Sequence, residues 1–149
     1  MRCILDTDVI VASLRSPTGA SREIIRRIGL HQLTAIASVA LLVEYEAVLK
    51  RPEHLQATKL TAAQIDSFLD VLAHLFVPVT PHFLWRPLLK DPNDEMIIEA
   101  AVNGQAQVIV TFNTRHFGNA PHRFGIEVLK PGEFLRRLYH IGGHHDNDE

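Results

Sequence analysis

Residues 3 to 14 read Cys-Ile-Leu-Asp-Thr-Asp-Val-Ile-Val-Ala-Ser-Leu, and this stretch decides the fold. Its first three residues are apolar and predict a short buried strand, while Val9 to Leu14 predict a helix that follows at once. In open parallel sheets, ligands bind outside the carboxyl ends of the strands, so the acids between the two runs are candidate site residues. The alternative is that Asp6 or Asp8 only caps the helix. This stretch alone leaves the two interpretations equally open.

Length and composition predict one soluble globular domain. The chain has 149 residues, of which 46% are hydrophobic and 21% charged, which is ordinary for a globular protein. No apolar run approaches membrane-spanning length and no signal segment precedes Cys3, so we expect a cytoplasmic protein without a membrane partner. One cysteine excludes an internal disulfide framework and a cysteine-based zinc site.

The net charge of −2 argues against nucleic-acid binding by bulk charge. However, three of the 17 acidic residues lie in the last four positions, and without them 15 basic residues face 14 acidic ones. Basic residues also cluster, although such clusters are more often solvated faces than phosphate contacts. They are Arg22/Arg26/Arg27, Lys50/Arg51, Arg115/His116, His122/Arg123 and Arg136/Arg137. This pattern permits RNA binding without requiring it.

Predicted strands alternate with predicted helices along the chain. The strands lie at 3–5, 33–37, 76–79, 107–111 and 126–129, and the helices at 20–30, 39–50, 61–75, 91–104 and from 131 onward. This alternation predicts a three-layer α/β/α sandwich with a central, mainly parallel sheet of about five short strands. Residues 80–90 are predicted to form a loop. Residues 1–141 are expected to form one domain and 142–149 a disordered polar tail, in which His144 and His145 alone make an incomplete metal site.

Two predicted helices carry an acid in line with their buried stripe. Ser38 is a suitable N-cap for the first helix, in which Glu44 lies three residues after Leu41 and four before Val48. Glu46 is rotated away from that stripe. A carboxylate on an inward stripe is costly unless it is paired or binds a metal ion.

The second such acid is Asp94, which precedes Ile97 and Ile98 by three and four residues. Asp91 before Pro92 is most simply the N-cap of this helix. The clearest buried strand of the chain then ends in Thr111-Phe112-Asn113, which brings a hydroxyl and an amide to a strand tip.

In a parallel sheet these polar residues are expected to converge at one edge. Like charges brought together repel, and a divalent cation is the simplest way to hold them. Oxygen ligands without a cysteine or paired-histidine motif favour Mg²⁺ or Mn²⁺, and the chemistry they suggest is metal-assisted attack of water on phosphorus. The converging acids are Asp6, Glu44 and Asp94, accompanied by Asn113 and by the hydroxyls of Thr7, Ser38 and Thr111.

Four segments of the chain resemble the signature segments of PIN-domain proteins, and in particular the toxin components of toxin–antitoxin systems. They are Asp6-Thr7-Asp8, residues 38–52 (SVALLVEYEAVLKRP), Asp91-Pro92-Asn93-Asp94 and Val110-Thr111-Phe112-Asn113. Each segment alone is weak, but the four occur in the right order and spacing, and the resemblance covers Met1 to about Tyr139.

The resemblance implies a ribonuclease dependent on Mg²⁺ or Mn²⁺, with Asp6, Glu44 and Asp94 as catalytic and metal-binding acids. Asn113 stands where many members have a fourth aspartate, which weakens the expectation of a second tightly held metal. Asp8 departs from the more usual asparagine and would restore some negative charge. The family further implies an RNA substrate and a homodimer. Because the chain has no DNA-binding segment of its own, an antitoxin would be a separate protein.

Two other functions remain open at this point. Asp6-Thr7-Asp8 resembles the nucleophile signature of haloacid-dehalogenase-type phosphatases, but that chemistry needs an acidic pair after a late strand, and this strand ends in Thr-Phe-Asn. A catalytically silent RNA- or protein-binding module with the same fold is the stronger alternative, because Asn113 brings no charge.

Overall fold

Five parallel strands form the central sheet of the computed structural model, which describes residues 1–82, 89 and 91–145, with side chains as far as residue 140. All four pairings are parallel, so the predicted sheet is confirmed. The strands are β1 (Arg2–Leu5), β2 (Thr34–Ala37), β3 (Val77–Pro78), β4 (Val108–Val110) and β5 (Glu127–Leu129). Their order across the sheet is β3-β2-β1-β4-β5. Pro78 lies in an edge strand, as predicted, because proline cannot donate to a ladder.

Helices connect the strands and cover the sheet. They are α1 (Thr7–Arg15), α2 (Ala20–Gly29), α3 (Val39–Leu49), α4 (Pro52–Thr58), α5 (Ala62–Leu75), α6 (Pro92–Asn103) and α7 (Pro131–His145). Two short 3-10 helices, Thr114–Phe117 and Pro121–Phe124, lie between β4 and β5. Neither α4 nor the 3-10 helices were predicted from the sequence.

Polar caps begin the three helices whose starts the sequence predicts. Ser38, Thr61 and Asp91 each accept a hydrogen bond from a backbone N–H two or three residues further on, at 2.9–3.2 Å. Such bonds satisfy donors that have no partner inside the helix. The helical phase of α3 and α6, and hence the direction of Glu44 and Asp94, is fixed by these starts.

The chain reverses its direction across the sheet at β1 and β4, which are neighbours. From β1 it moves through β2 to β3, and it then returns to β4 and continues to β5. Crossovers between parallel strands are right-handed in nearly all proteins, and this rule places the helices before and after such a reversal on opposite faces of the sheet. The crevice at the carboxyl ends of β1 and β4 is therefore a topological switch point, where open α/β sheets bind ligands.

Two close contacts connect helices to the sheet, one at the crevice and the other at the opposite end of α6. Tyr45 of α3 is fully buried, and its hydroxyl donates a hydrogen bond to the carbonyl oxygen of Leu5, the last residue of β1. Gly104 ends α6 against β2, where an added Cβ would lie 2.4 Å from Cδ1 of Ile36 and 2.9 Å from the carbonyl oxygen of Ala100. The end of α6 thus approaches the sheet more closely than any side chain would allow.

Two predictions concern the less regular parts of the chain. Of the predicted loop 80–90, residues 83–88 and 90 lie outside the described residues. Helix α7 reaches His145 and so includes residues 142–145 of the predicted disordered tail, whereas 146–149 lie outside the described residues. The division into domain and tail therefore stays a prediction. Within the part of the chain that the structure describes, no helix is both long and apolar enough to cross a membrane.

Candidate active site

Asp6 lies at the carboxyl end of β1 and both caps a helix and faces a cleft. Its Oδ1 accepts a hydrogen bond of 2.8 Å from the backbone N–H of Thr7, the first residue of α1. Its Oδ2 accepts one of 2.8 Å from the hydroxyl of Thr111, which follows β4. Burial raises the pKa of Asp6 in spite of these two bonds, which lower it. The two interpretations of this residue as a cap and as a site residue are therefore compatible.

Asp8 is held by the tip of the neighbouring strand. Its Oδ2 accepts hydrogen bonds of 3.1 Å from the backbone N–H of Phe112 and 3.1 Å from Nδ2 of Asn113. Its Oδ1 is buried and has no hydrogen-bond partner among the described residues. Burial first, and the charge of Asp6 second, raise the pKa of Asp8 to about 6.

Asp94 approaches the same crevice from the first turn of α6. It is 9% exposed, and its Oδ2 lies 3.7 Å from Nδ1 of His116 in the first 3-10 helix. Burial, followed by the charges of Asp91 and Asp6, raises the pKa of Asp94. The charges of Asp6 and Asp94 therefore act on each other across the crevice, although the residues are far apart in the sequence.

Glu44 lines the crevice from α3, whereas Glu46 does not. Glu44 is half-buried and precedes the fully buried Tyr45. Glu46 is exposed, and its Oε1 lies 3.5 Å from Nζ of Lys50 on the outer surface of the helix. The predicted difference in orientation between these two glutamates is confirmed.

Together these side chains line one open cleft of about 400 Å³. Its polar wall includes all four residues expected to be catalytic, Asp6, Glu44, Asp94 and Asn113. The lining comprises Asp6, Thr7, Asp8, Val11, Glu44, Val48, Arg51, His54, Asp91, Asn93, Asp94, Asn113 and His116. Ser38 is not part of this lining, because its hydroxyl caps α3. Thr111 contributes through its bond to Asp6.

Comparison with protein families decides what kind of domain carries this cleft. The family model described as PIN domain matches residues 2–115, which includes all the acids that line the cleft. The chain belongs to the PIN-domain family.

The architecture of this PIN domain is also found in a solved structure. A chain from the crystal structure of VapBC2 from Rickettsia felis, bound to a DNA fragment from their promoter, matches with a TM-score of 0.58 and 19% sequence identity. The match covers 87% of the present chain and 98% of the other. At this level of identity the likeness shows a shared fold. A comparison with curated proteins finds no match.

The carboxylate and amide oxygens in the cleft of this PIN domain are chemically suited to bind a hard divalent cation. Oxygen atoms are the ligands that Mg²⁺ and Mn²⁺ prefer, and in the cleft Oδ1 of Asp8 is a buried oxygen without a hydrogen-bond partner in the described part of the chain. The pKa values of Asp6, Asp8 and Asp94 are raised, and a bound cation would lower them again because it favours the ionised carboxylates. Among the side chains that the structure describes, those of residues 1–82, 89 and 91–140, however, no three from His, Cys, Asp or Glu stand close enough to hold one ion between them.

Three basic residues of the cleft were not anticipated as site residues. Arg51 and His54 enter with α4, the helix that the sequence analysis did not predict, and His116 enters with the first 3-10 helix. For α4 a signal was present, because Pro52 can occupy the first position of a new helix as well as end an old one. For His116 the deciding feature is its approach to Asp94, a tertiary contact without a local sequence signal.

Proposed function

We propose that this PIN domain is a metal-dependent endoribonuclease and acts as the toxin of a toxin–antitoxin pair. The observation that carries the proposal is the convergence of Asp6, Asp8, Glu44 and Asp94 in one cleft at the switch point of the sheet. Three of these carboxyl groups have raised pKa values. Neighbouring carboxyl groups whose pKa values are raised by burial and by each other's charge are characteristic of functional sites.

In this proposal Asp6, Glu44 and Asp94 would hold Mg²⁺ or Mn²⁺, with their side chains closer together than they are in this structure. The cation supplies charge stabilisation for the phosphate and a reactive water at neutral pH. The other residues of the cleft orient the ligands: the hydroxyl of Thr111 and the backbone N–H of Thr7 each fix one oxygen of Asp6. Asn113 likewise orients Asp8, because its amide nitrogen donates a hydrogen bond to Oδ2 of that carboxylate.

The assignment to a toxin–antitoxin pair draws on likeness. The four sequence segments resemble those of toxin components, and the fold is shared with a chain of the VapBC2 complex from Rickettsia felis. We therefore propose a separate antitoxin protein as partner, a homodimer as the assembled form and the cytoplasm as the place of action.

Cleavage of a structured RNA with and without Mg²⁺ or Mn²⁺ tests the proposal. Asp6→Asn and Asp94→Asn are each expected to abolish cleavage and leave the fold intact, because neither residue belongs to the hydrophobic core. Asp70→Asn is the matched control, since Asp70 is an exposed acid of α5 outside the cleft. Metal-independent cleavage, or cleavage that survives both substitutions, would refute the proposed site.

A catalytically silent RNA-binding module is the second candidate. It is favoured by the neutral Asn113 in the cleft and by the spacing of the described acids, which leaves no group of three around one point. This function predicts RNA binding that Asp6→Asn leaves unchanged, together with no cleavage in either cation.

A further inference from the structure

A second cavity lies beside the cleft and has no part in the site described above. It has a volume of about 420 Å³ and is formed by the C-terminal part of α1, the start of α2 and the start of α7. Much of its wall is apolar, and it includes Ala12 and Phe112. The side chains of Lys130 and Arg136 stand at its edge and are exposed to solvent.

Three polar side chains of this cavity, those of Lys130, Arg136 and Ser21, lack a partner among the described residues. Neither the ammonium of Lys130 nor the guanidinium of Arg136 has a carboxylate within ion-pair distance among the described residues. Ser21 is 3% exposed, and within the same described part of the chain its hydroxyl has no hydrogen-bond partner. Glu133 also lines the cavity, but its Oε1 accepts a bond of 3.3 Å from the backbone N–H of Lys130 at the start of α7. Buried hydroxyls nearly always have a partner, so this cavity is suited to an oxygen-rich ligand.

At two places the second cavity and the acidic cleft are lined by consecutive residues. Asn113 lines the cleft and Phe112 lines the cavity, and on α1 the same division falls between Val11 and Ala12. The backbone N–H of Phe112 donates to Asp8 at 3.1 Å. The side chain of Phe112 is 45% exposed and lines the second cavity. The same two segments of the chain, α1 and the tip after β4, therefore contribute neighbouring residues to both the cleft and the cavity.

We propose that this cavity binds a nucleotide of single-stranded RNA next to the position that is cleaved, with the base against Phe112 and its phosphate between Lys130 and Arg136. The inference rests on the proposed ribonuclease function and extends it to the path of the substrate. Aromatic rings beside cationic side chains are the combination by which proteins bind single strands without reading their sequence. An acidic peptide would use the two cations but would gain less from an exposed aromatic face and an apolar wall.

Binding of a fluorescein-labelled oligouridylate of about ten nucleotides, measured by fluorescence anisotropy in EDTA, tests this site without cleavage. The double variant Lys130→Gln/Arg136→Gln is expected to bind at least about tenfold more weakly and to lose about 0.7 from the slope of log K against log salt, the value for one phosphate. Phe112→Leu, which keeps an apolar side chain but removes the ring, is expected to weaken binding by about tenfold.

Two controls separate the site from unspecific effects. Arg137→Gln removes an adjacent exposed cation that is paired with Glu127 at 2.7 Å, and it is expected to leave affinity and salt slope unchanged. Lys130→Arg keeps the charge and is expected to keep the affinity. Equal thermal midpoints of all variants establish that they are folded.

The outcomes distinguish this site from the nuclease function on which it rests. RNA binding that depends on Lys130 and Arg136 supports the site even where no variant cleaves RNA, a result that would refute only the nuclease. Equal affinities of wild type and double variant, or a wild type that does not bind the oligonucleotide, overturn the site. Cleavage by both proteins would then leave the nuclease function standing. If the double variant loses a co-purified partner protein but binds RNA as tightly as the wild type, the cavity is a protein-binding site, and this result overturns the proposal as well.

Discussion

Replacing Asp8 with asparagine is expected to stabilise the metal-free protein. In the folded state Oδ2 of Asp8 accepts bonds from Phe112 and Asn113, while Oδ1 is buried without a partner among the described residues. Burial and the neighbouring charge of Asp6 raise its pKa to about 6 from the ordinary value of 3.8. The ionised form of Asp8 is therefore less stable in the folded protein than in the unfolded chain.

The sign and the pH range follow from this shift. A carboxyl group with a raised folded pKa binds its proton more tightly in the folded state, so its ionisation destabilises the fold above about pH 6. This destabilisation fades as the pH falls and vanishes below the unfolded pKa, near 3.9. A shift of about two units corresponds to about 3 kcal/mol. Because Asp8 is only partly buried, solvent screening reduces the expected effect to about 1–2 kcal/mol.

Urea denaturation in EDTA, followed by circular dichroism, measures this effect. At pH 8 the free energy of unfolding of Asp8→Asn should exceed that of the wild type by about 1–2 kcal/mol, and the difference should shrink toward pH 4. Glu46→Gln is the control, because Glu46 is exposed outside the cleft, and it should show no such pH-dependent gain. If Asp8→Asn is no more stable than the wild type at pH 8, the raised pKa and the reasoning built on it are wrong.

Three further predictions concern activity, metal binding and packing. Glu44→Gln should strongly reduce RNA cleavage whereas Glu46→Gln should leave it within about twofold of wild type; equal effects in a cleavage assay would mean that Glu44 has no role in the site. Asn113→Asp replaces a hydrogen-bond donor to Asp8 with a negative charge. Calorimetry should therefore show tighter Mn²⁺ binding, and urea denaturation should show that the metal-free protein is less stable than the wild type. An unchanged Mn²⁺ affinity would place Asn113 outside the metal site. Gly104→Ala should lower the free energy of unfolding by about 1–3 kcal/mol, since the added Cβ would meet backbone and side chain within 3 Å; a neutral effect in urea would show that α6 can move away from the sheet.

The fold was predictable because its signals are local. Buried strands such as Val108–Val110 appear as short apolar runs, and helix starts carry caps such as Ser38 and Thr61. The missed helix, α4, has no buried residue and therefore no apolar stripe that periodicity could reveal. Its length of seven residues further weakened the signal.

The candidate site was predictable to the extent that the phase of a helix and the end of a strand determine where a side chain points. Glu44 and Asp94 stand on inward stripes, and the structure brings both to the cleft that Asp6 lines. The hydrogen bond between Asn113 and Asp8 could not be derived, because it depends on how two strand tips pair. Likewise, Ser38 was grouped with the site hydroxyls although its role as a cap directs its hydroxyl to the backbone of α3.

The hydrogen bond from Tyr45 to the carbonyl oxygen of Leu5 joins the residue after Glu44 to the residue before Asp6. These two acids are thus attached to the opposite ends of one fully buried connection, and the core itself fixes the gap between the two walls of the cleft. Any shift of α3 relative to β1 would have to break this buried hydrogen bond, which is costly in the protein interior. A closer approach of Asp6 and Glu44 on binding a cation would therefore come from rotation of their side chains and not from movement of the backbone that carries them.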